Sequence, residues 1–181
     1  LDAASLMCIV KACGSMGLVE LGEKIYTKVR KNVSLRTDMA LGNTLLDMYA
    51  KCGMLGKAQE IFEELEAQDI VSWNALMAGY AHMGEAKRVL ELFRKMMTIG
   101  RTMPDVVTFL AMLTACSHSG DKLKGWELFK SMLDDTVNPR IEHFNSMIDL
   151  LGHSGNLYAA KELLDTMPHS PSMTSWLSLL H

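Results

Sequence analysis

The stretch Ile70-Val71-Ser72-Trp73-Asn74-Ala75-Leu76-Met77-Ala78-Gly79-Tyr80 decides the fold. Trp73, Leu76, Met77 and Tyr80 fall at i, i+3, i+4 and i+7, which gathers them on one face of a helix. Gly84 separates this helix from a second apolar stripe, Ala86-Val89-Leu90-Phe93-Met96-Met97. Working outward, the first stripe recurs as Leu6-Ile9-Val10-Cys13, Gly42-Leu45-Leu46-Tyr49, Phe109-Met112-Leu113-Cys116 and Phe144-Met147-Ile148-Leu151, and begins again at Trp176-Leu179-Leu180. The anchor of the second helix recurs as Tyr26, Phe62, Phe93, Phe129 and Leu164.

Two markers give the period. Gly17, Gly53, Gly84, Gly120 and Gly155 are separated by 36, 31, 36 and 35 residues. Val10, Leu46, Met77, Leu113, Ile148 and Leu180 are separated by 36, 31, 36, 35 and 32. The predicted map is therefore eleven helices, five complete pairs and the first helix of a sixth. A helical hairpin this short cannot bury both its faces, so neighbours must stack into an all-α solenoid. Equivalent positions then form rows along its concave surface, and function is to be sought in rows, not in one convergent pocket.

Composition agrees with a packed helical domain. Of 181 residues, 49% are hydrophobic and only 7% aromatic, which is enough apolar material to order the chain. Lys and Arg number 18 against 21 Asp and Glu, a net charge of −3, so bulk electrostatics give no attraction to a polyanion. No run approaches the roughly 18 apolar residues of a membrane span. Cys8, Cys13, Cys52 and Cys116 form no CxxC pair, and Cys13 and Cys116 sit on the core stripe as small hydrophobes. Met77, Met96, Met112, Met132 and Met147 likewise fall on core positions. No GxxxxGK[ST], HExxH or GxSxG motif is present, so this segment is expected to be neither an enzyme nor the holder of a cofactor or metal. The start at Leu1 and the end within an apolar stretch suggest a fragment.

The residues carry a family resemblance. Ile70 to Tyr80 with the closing Met103-Pro104-Asp105, together with Asp47-Met48-Tyr49-Ala50-Lys51-Cys52-Gly53 and Leu113-Thr114-Ala115-Cys116-Ser117-His118-Ser119-Gly120, resembles pentatricopeptide repeats. The alternation of lengths resembles the plant PLS subclass. It implies a right-handed α-α superhelix with a long repeat at 3–38, a short one at 39–69, a normal one at 70–105, a long one at 106–140 and a short one at 141–172. Residues 173–181 would open an E-type extension.

The resemblance also implies a function: single-stranded RNA binding in a mitochondrion or plastid, serving C-to-U editing with accessory proteins as further partners and no membrane. The fifth and last residues of a unit would choose the base. The pairs are Met7 with Asp38, Asn43 with Asp69, Asn74 with Asp105, Leu110 with Arg140, and Asn145 with Ser172. Asn with Asp is implied to prefer uracil and Asn with Ser cytosine, for a footprint any–U–U–any–C read 5′ to 3′. Second residues flank the bases, which gives Ala40, Val71 and Val107 stacking roles, while Glu142 departs from that pattern. A deaminase signature of HxE followed by PCxxC, carried by many PLS relatives beyond the repeats, is absent from these residues.

Bland explanations compete at each row. Asp38, Asp69 and Asp105 directly precede first helices, where they would serve as N-caps. Three asparagines at one helix-interior position cost a few tenths of a kcal/mol each and so call for a reason. Lys51, His82, His118 and His153 share one repeat position, too far apart in a stack for one ion and better placed to face phosphate. The rival to RNA binding is a protein-binding scaffold of the tetratricopeptide kind, for which the acidic balance is no obstacle.

Overall fold

A computed structural model describes residues 2–134, 137–167 and Trp176. Its first helices are α1 (Ala3–Met16), α4 (Met39–Lys51), α6 (Ile70–His82), α8 (Val106–Ser119) and α10 (Ile141–His153). Their hairpin partners are α2 (Val19–Lys31), α5 (Leu55–Glu64), α7 (Ala86–Thr98), α9 (Lys122–Asp134) and α11 (Leu157–Asp165). The fold is the expected α-α solenoid. First helices stack in sequence, α1 on α4, α4 on α6, α6 on α8 and α8 on α10, and second helices α2, α5, α7 and α9 each pack against the first helix that follows.

Local chemistry explains where the helices begin and stop. Aspartates cap four of the five first helices: Asp2 accepts from the Ser5 N–H, Asp38 from Leu41, Asp69 from Ser72 and Asp105 from Thr108. At α10 the N-cap residue is Arg140, and a different bond forms: His143 Nδ1 accepts from the Arg140 N–H at 3.1 Å while Nε2–H donates to the Val106 carbonyl at 2.7 Å. The five marker glycines all adopt φ between +68° and +74°, a left-handed conformation that L-residues avoid at a cost of roughly 1–2 kcal/mol. That shared backbone requirement explains the glycine series in the sequence.

Packing follows the stripes. Leu6, Val10, Leu45, Leu46, Leu76, Met77 and Met112 are buried in one cluster and Leu113, Met147 and Ile148 in a second, with Leu128 packed against both; Cys13, Cys116 and the five named methionines are buried as well. Phe62 meets Trp73 edge-on at 4.6 Å between ring centroids, which locks the second helix of one unit to the first of the next.

Two expectations need correction, and a third falls largely outside the described residues. The short helix α3 (Val33–Arg36) was not anticipated: Asn32 caps it by accepting from the Ser34 N–H, and Leu35 packs on the core. In α7 the expected stripe holds for Ala86, Val89, Leu90, Phe93 and Met96, which are buried or packed on the core, but Leu92 joins it and Met97 is exposed. The first helix of a sixth unit, and with it 173–181, lies outside the described residues apart from the helical, exposed Trp176.

Close approach of first helices depends on small residues. A Cβ on Gly79 would stand 2.8 Å from Ala50 Cβ and 3.3 Å from Ala50 Cα. Gly79→Val is therefore expected to lower unfolding free energy by about 1–3 kcal/mol through overpacking, measured by urea denaturation. A neutral or stabilising result would show that α4 and α6 do not meet this closely.

Candidate nucleic-acid interface

The stacked first helices leave an open groove of about 730 Å³ along their N-terminal halves. Met7 and Lys11 of α1, Ala40, Asn43 and Asp47 of α4, Asp69, Val71, Asn74 and Ala78 of α6, and Asp105 and Val107 of α8 line it. A second groove of about 390 Å³ continues from it, sharing Ala78 and Val107 and reaching His82, Leu110, Glu142 and Asn145. The row of fifth residues thus lies along one channel, with Met7, Asn43, Asn74, Leu110 and Asn145 in order.

Asn43 and Asn74 form the floor. They are only 7% and 5% exposed, and each donates across the helix interface to the carboxylate that closes its unit. Asn43 Nδ2 lies 3.1 and 3.2 Å from the two oxygens of Asp69. Asn74 Nδ2 lies 2.9 Å from Asp105 Oδ1. Because a carboxylate only accepts, these bonds fix which end of each amide faces the aspartate. The same carboxylates cap α6 and α8, so capping and amide orientation coexist in one side chain.

Apolar side chains form the rims. Val71 and Val107 are 54% and 42% exposed on either side of Asn74, and Ala40 and Val71 stand on either side of Asn43. Asn145 lines the second groove beside Glu142; Ser172 lies outside the described residues. Asp38 caps α4, and the apolar Met7 makes no counterpart of the Asn–Asp bond with it.

The cationic row is less uniform than its spacing suggests. Lys51 pairs with Asp47 at 2.7 Å, His153 stands 3.5 Å from Asp149, and His118 Nδ1 meets the Ala81 carbonyl at 2.7 Å. His82 borders the second groove. Among the described residues, no group of His, Cys, Asp and Glu could hold a metal ion, and no helix is long and apolar enough to cross a membrane.

The sequence reading overlooked the third residue of each unit. Thr108 Oγ1 lies 2.7 Å from Asn74 Oδ1 and 3.0 Å from Asp105 Oδ1, and it accepts the Asp105 N–H at 3.1 Å. Ser72, the equivalent below Asn43, turns its hydroxyl to the Asp69 carbonyl at 2.8 Å. The available signal was a hydroxyl at the third residue of the unit that follows each Asn: Ser72 after Asn43 and Thr108 after Asn74.

Residues 43–70, 71–101 and 142–170 match the PPR repeat, and 97–154 match the pentatricopeptide repeat domain, which together span most of the chain. The chain belongs to the pentatricopeptide repeat family. Among curated relatives, two pentatricopeptide repeat-containing proteins of Arabidopsis thaliana are 40% identical over 181 residues and 41% over 180, each covering 99% of this chain. The chain spans only 30% and 21% of their lengths. The solved structure of the pentatricopeptide repeat protein PPR10 in complex with an 18-nucleotide psaJ RNA element superposes with a TM-score of 0.79 at 24% identity, over 99% of this chain and 27% of that one. The PPR domain of Arabidopsis thaliana protein-only RNase P 1 in complex with tRNA gives a TM-score of 0.70 at 15% identity, over 98% of this chain and 96% of that domain.

Burial acts to raise the pKa of Asp105, but the Thr108 N–H, the Asn74 amide and the Val107 N–H outweigh it and hold the carboxyl below its usual value. A depressed folded-state pKa means stabilisation that is complete above the unfolded value of about 3.9 and lost as pH falls through the folded one. Between about pH 5 and 2.5 the thermal midpoint should therefore fall more steeply for the native chain than for Asp105→Asn. Parallel curves would contradict the assigned donors.

Proposed function

We propose that this chain binds single-stranded RNA, taking one base per unit into the groove between rim side chains and reading its edge with the asparagine amide. The observation that carries the reading is the pair of Asn–Asp bonds on the groove floor, which tie the amides of two successive units to the carboxylates that close them. Such an amide matches the donor–acceptor edge of a pyrimidine.

Electrostatics favour bases over phosphates at this floor. Asp47, Asp69 and Asp105 line the groove against the cation Lys11. Phosphate laid against these carboxylates would be repelled, whereas a neutral base edge is not. The backbone then runs along the outer rim, where His82 can donate a hydrogen bond to phosphate. The RNA-bound state of PPR10 supports RNA as the ligand class.

The finer reading is target recognition for C-to-U editing of an organellar transcript in a mitochondrion or plastid, with long, short and normal units in PLS order. Asn43 and Asn74 read uracils, Asn145 with Ser172 reads cytosine, and Met7 and Leu110 space the array without selecting a base. Editing accessory proteins are the expected protein partners, and any deamination would be done by another domain.

Base stacking contributes roughly 1–3 kcal/mol per base in comparable single-strand binders, so reading residues add selectivity to a contact the rim already supplies. Asn74→Ala should weaken binding of an oligonucleotide carrying U–U by about fivefold to tenfold, while changing that of its purine-substituted counterpart by less than twofold, in a filter-binding titration. Equal losses on both would remove Asn74 as a reader. A chain that binds neither oligonucleotide yet captures folded peptides would belong instead with protein-binding scaffolds.

A further inference from the structure

Two units carry the same Asn–Asp pair but not the same amide environment. At Asn74 the carboxylate of Asp105 holds Nδ2, and the Thr108 hydroxyl reaches Oδ1 at 2.7 Å. The Thr108 hydroxyl has one proton to give. Asp105 Oδ1 already accepts from the Val107 N–H, the Thr108 N–H and the Asn74 amide, and it lies farther away, so the proton goes to Asn74. The amide is thereby gripped at both ends. At Asn43 only Nδ2 is held: Oδ1 is buried without a hydrogen-bond partner, because the Ser72 hydroxyl is committed to the Asp69 carbonyl. Both Thr108 and Ser72 are fully buried, so neither touches the groove contents directly.

The sequence repeats this arrangement. Wherever the fifth residue is Asn, the third residue of the next unit is a hydroxyl: Ser72 after Asn43, Thr108 after Asn74, Ser175 after Asn145. Where the fifth residue is apolar, it is not: Leu41 follows Met7 and His143 follows Leu110, and His143 spends its protonated nitrogen on the Val106 carbonyl. A hydroxyl in that row therefore tracks an amide to be held, not helix capping alone, since Leu41 begins α4 equally well beside Asp38.

We propose that Thr108 is a positioning residue for base recognition: by gripping the carbonyl of Asn74 from beneath, it makes the Asn74 unit discriminate uracil from cytosine more sharply than the Asn43 unit, whose amide is held at one end. This rests on the base-reading function proposed above and assigns the difference between two units that their shared Asn–Asp pair leaves equivalent. A pinned amide presents its remaining donor and lone pair at fixed angles, while a singly held one can roll about its Cβ–Cγ bond to suit either pyrimidine.

The test is a binding titration of the chain with oligonucleotides carrying uracil or cytosine opposite each unit in turn, with Thr108→Val, Thr108→Ser, Ser72→Thr and Asn74→Ala, and with thermal midpoints recorded for every variant. The uracil-to-cytosine affinity ratio should be larger opposite Asn74 than opposite Asn43. Thr108→Val should lower the Asn74 ratio by about fivefold, the worth of one buried hydrogen bond, and Thr108→Ser should restore part of it. Ser72→Thr should raise the Asn43 ratio, because the stiffer β-branched rotamer carries the hydroxyl towards Oδ1 as at Thr108. Ratios unmoved by Thr108→Val and Ser72→Thr, with Asn74→Ala still abolishing base dependence, would overturn the positioning role and leave base reading intact. No base dependence in any variant, the native chain included, would overturn both. If Thr108→Val does not fold because its cap is lost, Ser72→Thr decides alone.

Discussion

In two successive units a single carboxylate does two jobs on which the groove depends. Asp69 and Asp105 terminate the N-termini of α6 and α8, and from the same oxygens they hold the amide that projects from the preceding first helix. Capping fixes where each helix begins, and the Asn–Asp bond fixes how that beginning sits against its neighbour. The register of the groove is therefore set by hydrogen bonds that cross between units, while apolar stacking sets only their spacing. A solenoid held by stripes alone could slide by part of a turn without losing much buried area; one pinned through these carboxylates cannot.

From that constraint follows the character of the groove. Amides on the floor are almost buried, yet they lie along an open channel whose rims are valine and alanine. The floor offers oriented hydrogen-bonding edges and acidic charge, and the rims offer apolar contact. This combination suits a flat neutral ring with a polar edge. It does not suit a phosphate, and the mild negative charge of the chain stops being an objection once recognition is assigned to bases rather than backbone.

Much of the architecture could be read from the residues alone, because it rests on local rules. Stripe spacing gave the helices, and the left-handed turn requirement explains why the glycines keep the period. What escaped was geometric. The helix α3 depends on Asn32 finding a backbone donor in a long connection. The placement of Lys51, His118 and His153 against partners within the chain depends on which turn each side chain faces, which repeat position does not specify. The contrast between Thr108 and Ser72 depends on a rotamer: two hydroxyls at one repeat position bond to different atoms. His143 shows the same limit, since only coordinates reveal that its ring accepts the Arg140 N–H, as the Thr108 hydroxyl accepts that of Asp105.

The central claim is that successive units present their amides in single file to successive bases. Photocrosslinking with 4-thiouridine, placed at each of the two adjacent uracil positions in turn, tests this most directly. The 5′ substitution should crosslink to residues of α4 and α6 around Asn43, and the 3′ substitution one unit further on, to α6 and α8 around Asn74. Crosslinks that fall on the second helices, or that stay in place when the photoreactive base moves by one nucleotide, would contradict it.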